Sequence, residues 1–122
     1  MEGYDWAKEL PCAVTVCDDK GTIIYMNDKS VEVNVKGGGS IIGKNLKDCH
    51  NPRSWEIIQN LLATGGTNVY TIYKQAKNIK KLIYQTAWKK DGKVGGLVEI
   101  SIELPEEGAE PISGYSVAAG SP

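Results

Sequence analysis

Residues 13–26 read AVTVC (13–17), DDKG (18–21) and TIIYM (22–26). Two β-branched, partly alternating runs flank a cluster of turn formers in which Gly21 is free to take a positive φ. This pattern predicts an antiparallel hairpin. Downstream, Asn27 or Asp28 can cap a short helix through Val35, with Val31 and Val35 one turn apart. The run Gly37–Ser40 (GGGS) predicts a loop, and Ile41–Cys49 a single helical turn around Leu46. The strongest helix follows: Asn51 as cap, Pro52 at the first position, and Trp55, Ile58, Leu61 and Leu62 on one apolar stripe. Gly65 and Gly66 close it.

The remainder is β-rich. Residues 68–75, 80–89 and 94–103 read as three strands, with turns at Lys77-Asn78 and Asp91-Gly92. Leu82, Tyr84, Thr86 and Trp88 share one face, as do Gly96, Val98, Ile100 and Ile102, and both faces are expected to point inward. Strands before and after a block of helices give an α+β fold, a five-stranded antiparallel sheet with helices packed on one face. A ligand would fit between the helices and the sheet. Ahead of the sheet, Asp5–Leu10 predicts a short helix stopped by Pro11, with Trp6 and Leu10 on one side. Three parts result: an N-terminal helical segment (1–10), a central domain (11–104) and a Pro/Gly/Ser-rich tail (105–122). Tyr115 and Val117 of the tail are expected to dock on a neighbouring surface.

Composition sets the outer limits. The chain has 122 residues, 14 Lys plus Arg against 15 Asp plus Glu, and a net charge of −1, which argues against a strongly basic nucleic-acid binder. The length fits one domain. Phe is absent, while three Trp and six Tyr supply all the aromatics. Each has a polar handle on an apolar ring, which suits a partly polar pocket. The cysteines Cys12, Cys17 and Cys49 form no CxxC, and residues 1–10 lack an apolar signal core, so reduced thiols in the cytoplasm are expected. No apolar run is long enough to span a membrane.

Several stretches in this order resemble the PAS family. The segment from Leu10-Pro11 through Val14-Thr15-Val16 and Asp18–Asn27 is similar to the family's first hairpin and the Asn that follows it. Ile41–Leu46 (IIGKNL) resembles the turn before its long helix, and Asp91–Ile100 (DGKVGGLVEI) resembles its closing strand. The resemblance covers about residues 8–104. Cys49-His50-Asn51-Pro52-Arg53-Ser54 is similar to a CHxPxS-type turn of PAS modules from bacterial and archaeal proteins that also carry a hemerythrin-like domain, with Cys49, His50, Pro52 and Ser54 as its marked positions. The resemblance implies a PAS-like sensory or regulatory module, not an enzyme. It further implies a small molecule, or none, between helices and sheet, and homodimerisation through the N-terminal helix and outer sheet face, with Trp6 and Leu10 as interface candidates. The signalling partner is unknown. The cavity candidates are Val14, Val16, Leu46, Trp55, Ile58, Leu62, Leu82, Tyr84, Thr86, Trp88 and Val98.

Rival chemistries attach to particular residues. His50 with Cys49 or Asp48 could serve a small α+β enzyme as nucleophile or acid–base pair. Adjacent residues rarely aim at one substrate, however. The plainer expectation is a buried Cys49 and a His50 bonded to the turn before the helix. Haem would have to use His50, the only histidine, which precedes the long helix where haem-binding PAS modules place their ligand. Flavin adduct chemistry needs a Cys after the Asn of the GxNC motif, where this chain has Leu46, and a Gln where it has Val98. The cofactor is therefore unknown, with haem and flavin disfavoured. Residues 74–93 hold seven lysines against one acid, Asp91, which raises nucleic-acid binding as an alternative. With Tyr84 and Trp88 expected to point inward, base stacking has no partner and no nucleic acid is expected.

Overall fold

The structure, a computed structural model, describes residues 4–35, 37 and 39–105. The chain runs β1 (Ala13–Asp18), β2 (Ile23–Met26), α1 (Asp28–Asn34), α2 (Leu46–Cys49), α3 (Pro52–Thr64), β3 (Thr67–Lys74), β4 (Ile79–Lys90) and β5 (Lys93–Glu103). A single 3-10 turn over Gln75–Lys77 joins β3 to β4. The strands form one sheet in the order β2-β1-β5-β4-β3, antiparallel at every pairing. This is the expected α+β architecture, and β1 and β5, far apart in sequence, pair at its centre.

Local chemistry accounts for the element boundaries. Asp18 Oδ1 accepts from the backbone N–H groups of Lys20 and Thr22, both at 2.9 Å, and closes the first turn. Gly21 sits there at φ +87°, and a Cβ at that position would lie 2.7 Å from Trp55 Cη2. Only glycine meets both demands. The stretch Gly43–Leu46 then docks on the hairpin through Ile23 N–H to the Lys44 carbonyl and Leu46 N–H to the Gly21 carbonyl, each at 2.8 Å. Asn51 Oδ1 caps α3 by accepting from Ser54 N–H at 2.8 Å, Pro52 opens the helix, and Gly65 ends it in the left-handed region.

The core lies between α3 and one end of the sheet. Cys17, Ile23, Met26, Leu46, Ile58, Leu61 and Leu97 are buried together, with Trp55, Ile57 and Leu62 packed against them. Full burial of an Ile or Leu contributes about 1.5–3 kcal/mol, so the α3 stripe holds that helix on the sheet. The predicted Trp55, Ile58, Leu61 and Leu62 stripe is the one that packs.

The segment ahead of β1 differs from its expectation. Residues 6–9 form turns, with Lys8 N–H on the Asp5 carbonyl and Leu10 N–H on the Ala7 carbonyl, and no helix is present. A helix of six residues ending at a proline is too short to stand alone. Tertiary bonds take its backbone instead: Asn27 Nδ2 donates to the Ala7 carbonyl at 2.9 Å and Asp28 N–H to the Lys8 carbonyl at 2.9 Å. Tyr25 donates its hydroxyl to Asp5 at 2.7–2.8 Å. Trp6 stands 70% exposed, and Leu10 is half-buried. The docking expected of Tyr115 and Val117 lies outside the described residues.

Asn27 joins these parts. Its amide is 1% exposed; Oδ1 accepts from Val14 N–H and Ser30 N–H, and Nδ2 donates to the Ala7 and Cys12 carbonyls, all at 2.8–2.9 Å. Removing it leaves two donors and two acceptors unpaired. Asn27→Ala is expected to lower unfolding free energy by about 3 kcal/mol or more, measured by urea denaturation. Asn27→Asp should cost comparably, because two carbonyls would then face a carboxylate.

Candidate functional site

The sheet register decides which side chains meet the helices. Thr15 Oγ1 lies 2.5 Å from Ser30 Oγ on α1, and Cys17 and Leu97 pack on α3 residues, so this parity of β1 and β5 faces the helices. Following the pairings, Thr15, Glu99, Gln85 and Asn68 form one row across β1, β5, β4 and β3 on that side. The row is polar throughout, and its β3, β4 and β5 members are linked. Asn68 Nδ2 donates to Gln85 Oε1 at 3.0 Å, and Gln85 Nε2 donates to Glu99 Oε1 at 3.2 Å. On α1, Asn34 Nδ2 donates to Ser30 Oγ at 3.3 Å. Ser30 and Gln85 are fully buried, so each depends on these partners.

Beside this row lies a pocket of about 100 Å³ between α1 and the sheet. Thr15, Ser101, Glu99, Lys81, Lys74 and Asn34 supply its polar lining, and Ala13, Val33, Ile72 and Ile83 its apolar lining. Lys81 is only 7% exposed. The ion pairs among the described residues are Lys8–Asp28 at 2.9 Å and Lys29–Glu32 at 2.6 Å, both on the surface, and Lys81 takes part in neither. Burial pushes the Lys81 amine below its usual value, and the charge of Lys74 pushes the same way.

The predicted cavity residues divide between the two faces. Leu46 and Ile58 are buried in the core, and Trp55 and Leu62 pack against it, so the space between α3 and the sheet is filled. Leu82, Tyr84, Thr86 and Trp88 do share a face with Val98, Ile100 and Ile102, but it is the face turned away from the helices. Val14 and Val16 lie on that same outer side. None of these lines the pocket. Hydrophobicity points to the wrong face here, because the outer side of β4 (Leu82, Tyr84, Thr86, Trp88) is no less apolar than the inner side (Lys81, Ile83, Gln85, Ala87). The complementarity of Gln85 opposite Glu99 is the sequence signal that marks the inner row.

Trp88 is held in place rather than presented. Its indole lies over Gly95 and Gly96, and Nε1 donates to the Cys17 carbonyl at 2.9 Å. A Cβ on Gly96 would fall 1.9 Å from that carbonyl oxygen, so the glycine permits the close approach. Gly95 is left unpaired between Lys89↔Val94 and Trp88↔Gly96, a bulge that shifts the register by one residue. Tyr84, by contrast, is 38% exposed on the outer face, so it does not point inward as expected and is open to contact.

The Cys49–His50 turn is assembled for structure. His50 Nδ1 donates to the Leu46 carbonyl at 2.9 Å, as expected for a residue bonded to the turn before the helix. Cys49 is exposed rather than buried, with Sγ 3.7 Å from the Asn45 carbonyl. Pro52 opens α3 and Ser54 N–H takes the Asn51 cap. Cys49 and His50 thus engage separate carbonyls, and neither lines the pocket beside α1. Cys17 is the buried thiol, raised to about 11 by its burial. Among the described residues, no cluster of three His, Cys, Asp or Glu side chains is placed to hold a metal ion, and no helix is long and apolar enough to cross a membrane.

A lysine whose side chain is largely buried, with no partner among the described residues, should cost stability. With its folded value lowered, Lys81 binds its proton less readily in the folded state than in the unfolded one, so the cost is full below the folded value and fades as pH rises toward 10.5. Lys81→Met is therefore expected to raise the melting temperature at pH 7. Its advantage over the unsubstituted chain should shrink at pH 10, as followed by calorimetry.

Among curated proteins, none matches the chain in sequence. Solved structures share its architecture. A sensory box sensor histidine kinase from Vibrio cholerae superposes with a TM-score of 0.61 at 14% identity, over 80% of this chain and 85% of that one. The PAS domain of an HTR-like protein from Haloarcula marismortui gives 0.55 at 15%, over 80% and 84%. A VqmA–ligand–DNA complex from Vibrio cholerae gives 0.62 at 16%, over 93% of this chain and 55% of that one, so the chain spans about half of VqmA. The family model described as PAS fold matches residues 7–67, half of the sequence. By that match the chain belongs to the PAS family.

Proposed function

We propose that the chain is a sensory or regulatory module that takes a small molecule in the pocket under α1 and associates with a second copy through the outer sheet face. The observation that carries this reading is the polar row Thr15, Glu99, Gln85 and Asn68 beside the buried Lys81. Folding gains little by burying such groups, because each must find a partner in place of water. A linked polar wall beside an apolar core is the arrangement that recognises a small polar ligand. Proteins of like fold include a sensor histidine kinase and the ligand-bound VqmA, which supports a sensory role.

The outer face supplies the second half of the reading. Val69, Tyr84 and Ile100 are direct cross-strand neighbours, with Ile102 and Tyr73 nearby, and Val69, Tyr73, Tyr84 and Ile102 are all exposed. A contiguous apolar sheet face of this kind suits a partner surface. Trp6, exposed on the N-terminal turns, extends the candidate interface, with Leu10 half-covered beside it. The module acts without catalysis, since Cys49 and His50 are occupied by turn carbonyls, and without nucleic acid, whose binding would weaken steeply with added salt. It works in the cytoplasm with reduced thiols.

Two outcomes follow. Native mass spectrometry of the chain purified from its own host is expected to show a small-molecule adduct that denaturation removes; bare protein alone counts against the ligand. Analytical ultracentrifugation is expected to find a dimer that Tyr84→Glu with Ile102→Glu converts to a folded monomer. An unchanged sedimentation coefficient would dismiss the outer face as the interface.

A further inference from the structure

The pocket lining also specifies a class of ligand. Lys81 is more than nine-tenths buried, lines the pocket, and makes no hydrogen bond or ion pair to another described residue. Its stem is buried and its ammonium is partly desolvated at the pocket, so an anion that meets it there gains a charge-assisted hydrogen bond. Lys74 is a second cation on the same wall, and Glu99 the one carboxylate, which leaves the lining one positive charge in excess. Only Oε1 of Glu99 is engaged, by Gln85, so the other oxygen remains an acceptor. Ser101 pairs with Ala13 and Ile83 in the row next to Glu99 and places a hydroxyl on the lining.

We propose that this pocket binds a small monocarboxylate bearing an amino or hydroxyl group, with the carboxylate on Lys81 and Lys74 and the donor group on Glu99 and Ser101. The inference rests on reading the pocket as the ligand site. A hydroxy acid's carboxylate neutralises the excess charge and an amino acid pairs its ammonium with Glu99, whereas a phosphate dianion would face Glu99 with no compensating cation. The volume of about 100 Å³ suits a small head group of this kind. A purely apolar occupant would leave Lys81 and the second oxygen of Glu99 unmet and gains least from this lining.

The test is titration of the full chain, followed by calorimetry and ligand-observed NMR, with glycine, alanine, glycolate and lactate, and with glycinamide and lactamide as counterparts that lack the carboxylate. The acids are expected to bind and the amides not. Lys81→Met should weaken the best acid by about 10- to 100-fold, the loss of one charge-assisted hydrogen bond. Glu99→Gln should narrow the preference for acids that carry a donor. Lys90→Met, on the exposed end of β4, should change nothing. Amides binding as well as acids, with Lys81→Met indifferent, would overturn the carboxylate class and leave the pocket as a ligand site. If no probe of either kind binds and the host-purified chain carries no adduct, both readings fall. Should Lys81→Met fail to fold, Lys74→Met reads the same loss at the second cation, and its indifference likewise overturns the class.

Discussion

A single buried amide sets the frame. Asn27 spends all four of its hydrogen-bonding positions on backbone groups from three places: the residues ahead of β1, β1 itself, and the first turn of α1. No water is needed to satisfy it, and no other neutral side chain has two acceptor lone pairs and two donors on one rigid plane except Gln, which is longer. The position of α1 over the sheet follows from that cap. So does the pocket, because its roof is the α1 face that carries Asn34 and Val33. Ser30, held by the same amide, meets Thr15 and links the cap directly to the polar row of the sheet.

The sheet then divides its labour by face. Near α3 the helix-facing side is apolar and filled: Cys17 and Leu97 lie under Ile58 and Leu61. Two residues along each strand the same side becomes polar, and another step on it meets the pocket. The outer side carries the larger share of exposed apolar rings. An interior that is partly polar and an exterior that is partly greasy is a poor arrangement for stability alone. It suits the proposed module, with a polar molecule held inside and a protein surface met outside. Both surfaces are built on the same two strands, β4 and β5, so a change at Glu99 or Lys81 is one peptide away from Val98 or Leu82.

Most of the architecture could be read from the chain. The hairpin at 13–26, the capped helices at Asn27 and Asn51, and the Asp91-Gly92 turn all rest on local chemistry that operates within a few residues. Both central residues of that last turn take positive φ, as a two-residue hairpin requires. The residues that share the β4 and β5 faces were legible too, by alternation. Which face points inward was not. Alternation fixes a parity but not its sign, and the usual tie-breaker, apolar side in, fails when the interior contains Lys81, Gln85 and Glu99. The N-terminal helix does not form for a related reason: Ala7 and Lys8 carbonyls are claimed by Asn27 and Asp28, twenty residues away, and local propensity has no access to that competition.

The central claim is that the functional cavity lies on the α1 side of the sheet, between the polar row and Lys81, rather than under α3 or on the outer face. The most direct measurement is a pair of assigned ¹H–¹⁵N correlation spectra of the chain, as isolated from its host and after unfolding and refolding to strip any bound small molecule. The shifts are predicted to concentrate at Thr15, Ser30, Asn34, Lys81, Glu99 and Ser101. Shifts confined to Tyr84, Trp88 and Val98, or two superimposable spectra, would contradict it.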